Sequence, residues 1–333
     1  MPRRAACLLL CIAATTASCA GDAGARVARW RPFAPVKGVV DLTGPRADGR
    51  ITLGVDGRLR LLRLGGLPAS FAPAYRAGTG EPYIALSSGQ RVAAAHCSFG
   101  RDDVYALDPR NAPARPGVIR VDTSGRAQRV AVLPAGVFPN GIAFDTTGAF
   151  GHRLLVTARV GSGRAALYAL DCRNGRQTIA ARMPVVEGGV VVAPRGFGRF
   201  GGRLIAPDEL SGRLIAVDAG GRAVELARSG LASGGDIGVE SLGFVPSGFD
   251  RGMTALLADR AVPGNPHPGT DSILGVSGAA LRSAGVRAGD LLAATEGGAE
   301  TIAVRCGRRA CTVRLVAHGP AVAHAEGHIV FAR

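Results

Sequence analysis

Four polar residues, Glu81, Asn140, Glu187 and Glu240, each stand at the turn before a short apolar run. Three carboxylates and an amide oxygen converging on one point would suit a hard divalent cation, above all Ca²⁺, which takes oxygen ligands from separate loops. The alternative is that each satisfies backbone N–H groups in its own turn. Glu81 and Glu187 also fall one position earlier than Asn140 and Glu240 relative to the runs they precede. Other constellations point away from chemistry. His324-Ala325-Glu326-Gly327-His328 sets two imidazoles around a carboxylate, but as a two-residue hairpin turn it would splay them apart, so no metal is expected there. Asp208-Glu209 ends an apolar run and reads as an acidic turn. Gly196-Phe197-Gly198-Arg199-Phe200-Gly201 spells a dinucleotide fingerprint, yet another strand, Arg203–Pro207, follows where a helix N-terminus is needed. Ser241 lacks a Gly-x-Ser-x-Gly setting, and no serine hydrolase is expected.

The four polar residues can meet only if their strands share an axis, and the chain repeats in a way that provides one. Residues 139–158 and 188–208 share an opening apolar run, a Phe-Gly turn and an Arg-Leu-aliphatic second run. Each is followed by a run ending in Asp, a Gly turn and a fourth run, at 165–182 and 212–228. Residues 80–98 and 117–133 repeat the plan upstream, 239–260 opens another unit, and Asp122, Asp171 and Asp218 hold nearly even spacing. A unit of roughly 40–50 residues with four strands is the mark of a propeller blade. Blades are expected to begin near Tyr83, Asn140, Gly189, Ser241 and Asp290. A further blade would join Val36–Leu42, Arg50–Val55 and Arg58–Leu64 to two C-terminal strands within 320–333. The expected fold is all-β: a six-bladed β-propeller of four-stranded antiparallel blades, its ring closed by N- and C-terminal strands. Ser272–Leu315, with a helical turn or loop at Leu281–Gly289, leaves five or seven blades open.

Composition agrees with tight turns and thin strands: 49 glycines and only 5% aromatic residues. The net charge of +15 comes from arginines scattered along the chain, with Lys37 the single lysine and no basic run, so no nucleic-acid partner is expected. Arg3 and Arg4 precede the apolar run Ala5–Ala14 and small residues lead to Cys19, the three parts of a secretory signal. Thr16-Ala17-Ser18-Cys19 resembles a lipobox, which would make Cys19 a lipidated first residue; ordinary cleavage after Ala20 is the rival. The expected organisation is a lipoprotein-type signal peptide at 1–18, a tether at 19–35 and one propeller domain at 36–333. The mature chain is expected outside the cytoplasm, membrane-bound by lipid alone if Cys19 is modified and secreted if not, and monomeric. Setting aside Cys7, Cys11 and Cys19 leaves Cys97, Cys172, Cys306 and Cys311, an even number in an exported chain. Of three connectivities, Cys306–Cys311 reads best as a hairpin staple, and Cys97–Cys172 follows by elimination.

Phe138-Pro139-Asn140-Gly141-Ile142-Ala143-Phe144 at a blade start resembles a motif of the gluconolactonase/regucalcin and paraoxonase propellers, and more loosely of NHL and TolB-like ones. The resemblance covers about residues 80–260. It implies that Asn140 gives an amide ligand to a catalytic divalent metal, with carboxylates from other blades. The family's next carboxylate would fall at Gly188-Gly189, where there is no Asp, and its early-blade Glu has a counterpart only if Glu81 serves. Two functions are therefore expected. One is an exported propeller that binds a ligand, polymer or protein partner on its disc face without catalysis. The other is a lactonase or esterase with a divalent metal at the central channel, polarising a carbonyl or activating water.

Overall fold

The computed structural model describes residues 26–78, 82–110 and 115–333. The leader, Cys19 and Glu81 lie outside the described residues. Short runs of Val, Ile, Leu and Ala, each closed by Gly, Asp or Pro, have too little length for helices and fold as strands. After β1 (Ala28–Arg29) and β2 (Arg31–Pro35), the first sheet contains β3 (Val39–Thr43), β4 (Ile51–Val55), β5 (Arg58–Leu62) and β6 (Ala69–Phe71). The second contains β7 (Ile84–Ser88), β10 (Arg101–Asp108), β11 (Gly117–Val121) and β12 (Ala127–Val132), with the small hairpin β8 (Arg91–Val92) and β9 (Cys97–Ser98) between its first two strands. The third is β13 (Val137–Phe144), β14 (Leu154–Val160), β15 (Ala165–Leu170) and β16 (Arg176–Met183). The fourth is β17 (Val191–Val192), β18 (Leu204–Asp208), β19 (Arg213–Val217) and β20 (Ala223–Arg228). Asp122, Asp171 and Asp218 each take backbone N–H groups of the turn into the fourth strand, which explains their even spacing.

The last third of the chain interleaves. It comprises β21 (Val239–Phe244), β22 (Thr254–Asp259), β23 (Ser272–Ser277), the helix α1 (Gly278–Ser283), β24 (Leu291–Thr295), β25 (Thr301–Cys306), β26 (Cys311–His318) and β27 (Ala325–Ala332). With β1 and β2 these form one nine-stranded sheet, in the order β1-β26-β25-β24-β21-β27-β22-β23-β2. Apart from the parallel pairing of β1 with β26 at its edge, the sheet is two antiparallel runs that meet at the parallel pair Leu242 with His328. The expected composite of the first three runs with 320–333 is not what forms. Residues 39–71 complete a sheet alone, and the C-terminus supplies one strand, β27, which pairs with β22. The N-terminal contribution is β2, from within the expected tether, and it edges the same run through β23.

The arrangement is that of a β-propeller, all-β with almost no helix. Six apolar cores fill the spaces between facing sheets. The core between the second and third sheets gathers Phe99, Tyr105 and Phe144 edge to face, with centroids 4.9–5.5 Å apart. Both disulfides form, Cys97–Cys172 between the second and third sheets and Cys306–Cys311 across the β25–β26 turn. No described helix is long and apolar enough to cross a membrane.

Candidate functional site at the channel mouth

Strands β3, β7, β13, β17, β21 and β27 each pack against the next, and one mouth is bordered by Glu187 ahead of β17 and Glu240 near the start of β21 together with the ends of β14, β18 and β24. Gly188 and Gly189 make the approach close. Their N–H groups donate to the carbonyls of Asn140 and Glu240, both at 3.0 Å. A Cβ on Gly188, whose φ is +83°, would run into Glu240, and one on Gly189 into the Gly327 carbonyl. The position where the family motif would place a carboxylate is thus filled by backbone.

A cavity of roughly 660 Å³ opens at this mouth, with Glu187, Glu209, Asp236, Glu240 and Glu296 in its wall and Arg159 as the one basic residue. Two of the four expected residues, Glu187 and Glu240, meet here. Asn140 is buried beside them: its Nδ2 donates to the Val186 carbonyl at 2.6 Å and its Oδ1 accepts from Thr157 at 3.2 Å. Behind the wall stands a tighter cluster of Glu296, His324 and Glu326, whose ligand atoms lie within 4.8 Å of one another. His324 Nε2 is 2.6 Å from Glu296 and 3.5 Å from Glu326. Arg260 reaches Glu326 at 3.1 Å. The Tyr83 hydroxyl lies between Glu240 and Glu326, 2.9 Å from the latter. A phenol has one proton, so both contacts are hydrogen bonds only when one carboxyl carries a proton itself.

The electrostatics follow from burial. Exposure is 5% at Glu296, 2% at His324, 1% at Glu326 and 3% at Glu240, too little for water to solvate the charges. Burial, then the charges of Glu326 and Glu209, push Glu296 up to about 8 against the hydrogen bond from His324. Burial works against a proton on His324, but the hydrogen bonds and charges of Glu296 and Glu326 overcome it and push the imidazole up to about 10. Burial also raises Glu209, which is hydrogen-bonded to Glu296 and keeps its buried Oε1 without a partner. The mouth therefore gathers more negative charge than it can hold ionised unaided. Protons fill the deficit, and a divalent cation could do the same.

The reading of His324–His328 as a hairpin turn is corrected by the structure. The stretch enters and forms the innermost strand β27, so His324 and Glu326 face the cluster instead of splaying. His328 lies deeper: its Nδ1 is 3.0 Å from Asp41 and its Nε2 3.1 Å from the Val190 carbonyl. Its burial disfavours the proton, yet the Asp41 charge and hydrogen bond leave it raised. Asp41 also accepts from the backbone of Leu42, Ile84 and His328, binding three inner strands together. Glu296, Tyr83 and Asp41 carried no signal of their own in the sequence reading. Glu296 had one available, since it follows the second strand of its run, β24, as Glu209 follows β18. Gly196–Gly201 continues into a short 3₁₀ turn and then β18, as expected.

No protein-family model matches the chain, and no curated protein matches it in sequence. Solved structures do. A chain of the nidogen/laminin complex is 13% identical with a TM-score of 0.51, over 90% of this chain and 86% of its own. The calcium-binding protein regucalcin from Agrobacterium tumefaciens is 14% identical with a TM-score of 0.50, over 91% and 82%. A gluconolactonase from Xanthomonas campestris is 14% identical with a TM-score of 0.43, over 76% and 91%. At these identities the likeness is one of fold: this chain is built like the regucalcin propeller.

Proposed function

We propose that the acidic mouth binds a divalent cation and that the protein hydrolyses a lactone or ester there. The observation that carries this reading is the convergence of Glu187, Glu209, Glu240 and Glu296 on one cavity backed by His324 and Glu326. The donor set fits: oxygen-rich as calcium requires, with one imidazole that also admits manganese or zinc. The Asn140 amide is engaged by Val186 and Thr157, so the proposed donors are the carboxylates. A cation bound among them would polarise a substrate carbonyl or lower the pKa of a water. The cation would take the place of the proton that Glu296 holds near neutral pH, and His324 and Tyr83 hold the carboxylates in place. The test is calorimetric titration with Ca²⁺, Mn²⁺ and Zn²⁺, paired with lactone and aryl-ester assays before and after chelation. We expect a cation to bind and raise Tm, Glu296→Gln to weaken it about 100-fold, and hydrolysis to depend on it. Absence of binding by all three cations removes the proposal. Binding without hydrolysis leaves the other reading, capture of a ligand, polymer or partner, which is favoured by a wall whose only basic residue is Arg159 and which suits a cationic ligand.

We further propose that the nine-stranded sheet is two blades, giving six blades in a closed ring. Three features support this. The six cores include one between the first sheet and the β22–β23–β27 run and one between the two runs of the long sheet. The far end of the channel takes residues from each inner strand: Thr43, Leu86, Ile142, Val191, Leu242 and His328. Strand β27 also packs against β3. A crystal structure with a gap between β27 and β3 would overturn closure. Export with a lipid on Cys19 is proposed from the leader, and the two disulfides fit an oxidising compartment. Cys19→Ala is expected to move the protein from the detergent phase to the aqueous phase. Equal partition of both forms would refute the anchor.

A further inference from the structure

Away from the acidic mouth lies a second cavity of roughly 680 Å³, walled by the turn after β21, α1 and the loop after it, the end of β25 and the middle of β26. Strand β21 begins at Val239, next to Glu240 of the acidic mouth, and ends at Phe244, so the turn that follows belongs to the opposite face of the disc. Five arginines line the cavity, Arg251, Arg282, Arg287, Arg305 and Arg314, against one lining acid, Asp250. Two of them are fixed in orientation. Arg305 forms a two-pronged pair with buried Asp290 at 2.7 and 2.6 Å and reaches the Gly285 carbonyl at 3.3 Å. Arg282 is held by Asp250 at 2.7 Å.

The other three, Arg251, Arg287 and Arg314, make no side-chain hydrogen bond or ion pair among the described residues. They are nonetheless placed. Gly285, at φ +78°, has no Cβ where one would sit 2.5 Å from both terminal nitrogens of Arg314, so the guanidinium lies over the loop. Arg251 and Arg333 both come within 4 Å of the point a Gly248 Cβ would occupy, at 3.5 and 3.8 Å. Like charges gathered inside one screening length repel even in water. The general arginine content of the chain explains their number but not their concentration around one concavity with unused forks. Guanidinium forks match the oxygens of a phosphoryl group two at a time, and several forks can share its three oxygens.

We propose that this cleft is a binding site for a phosphoryl group, as a lipid headgroup or a free phosphate ester, on the face opposite the acidic mouth. The proposal is independent of the cation reading. The probe is pyrophosphate, titrated calorimetrically into the mature protein, with phosphatidylglycerol and phosphatidylcholine vesicles in a parallel sedimentation arm. The variant Arg251→Ala/Arg314→Ala removes two unused forks, and Arg63→Ala/Arg91→Ala removes the same charge from exposed sites elsewhere. Both alter exposed side chains, and a thermal melt checks that each stays folded. We expect pyrophosphate affinity to fall at least tenfold in the cleft variant and to stay within twofold in the control. Arg251→Lys/Arg314→Lys should fall between them, since it keeps charge and loses the fork. Parallel loss of phosphatidylglycerol binding identifies the lipid source, and pyrophosphate binding without vesicle binding identifies a free ester. Equal loss in both alanine variants, or no binding of pyrophosphate or vesicles by the unaltered protein, overturns the site.

Discussion

One mouth of the channel is bordered by acids, near the starts of β17 and β21 and past the ends of β18 and β24, and the other by aliphatic and aromatic side chains. The first mouth carries Glu187, Glu209, Glu240 and Glu296. The far end is lined by Leu86, Phe144, Val192, Phe244 and Val330. Between them the pair Asp41–His328 crosses from β3 to β27 and reaches the carbonyl of Val190, the residue just before β17. The residues at the acidic mouth need not pack, because they border a cavity, and can carry groups whose burial is costly. The strand ends close on one another and are held by packing. Chemistry and cohesion are thus divided along one axis, with a charged pair as the partition.

The strongest way to break that division is to remove the partition. Asp41→Ala leaves the His328 ring and the backbone N–H groups of Leu42, Ile84 and His328 without their acceptor, all of them buried or half-buried. Breaking a buried pair by deleting one member costs about 3–5 kcal/mol. Urea unfolding should show a loss in that range, matched at the apolar end by about 2–5 kcal/mol for Leu242→Ala. A loss under about 1 kcal/mol for Asp41→Ala would mean the pair does not hold the inner strands together.

Proton linkage sharpens the contrast, because the acidic mouth, with Glu296 and His324 both raised, should respond to pH more strongly than the far end. Glu296 binds its proton more tightly folded than unfolded. Its contribution to stability is full below its ordinary value of 4.5 and is lost as pH climbs through about 8. His324 adds to the same slope, full below 6.5 and lost towards about 10. Without a cation, stability should therefore fall from mildly acidic to mildly alkaline pH, by on the order of 1 kcal/mol per unit. A cation must displace the Glu296 proton, so its affinity should rise up to about tenfold per unit and level off above about 8. Glu296→Gln should flatten both curves. A slope unchanged in that variant would place the titrating groups elsewhere.

How much of this could be read from the chain depends on how local each contact is. The sheets at 137–183 and 191–228 were legible because Gly turns and Asp171 and Asp218 act on residues two to four positions away. The interleaving after Val239 was not, because β27 finds β22 across a stretch whose local pattern fits either neighbour. The same cause hid the site. His324 and Glu326 look like a splayed turn until the strand they enter is known, and Glu296 has no motif around it. Glu187 and Glu240 are legible because one stands ahead of β17 and the other near the start of β21, and first strands lead to the axis.

The finest distinction concerns Asn140, which shares its position with those carboxylates but not their surroundings. Its amide donates to Val186 and accepts from Thr157, so both ends are used within the protein. On the present geometry Asn140 tethers β13 to the segment before Gly188 and β14, while the carboxylates hold the cation. Thr157→Val removes one neutral hydrogen bond, leaves Oδ1 in a dry site and should cost about 1 kcal/mol on urea unfolding. Cation affinity measured on the same sample should stay within twofold. A tenfold loss of affinity with stability intact would instead make the Asn140 oxygen a ligand that Thr157 orients, and the mouth would then use an amide as well as its acids.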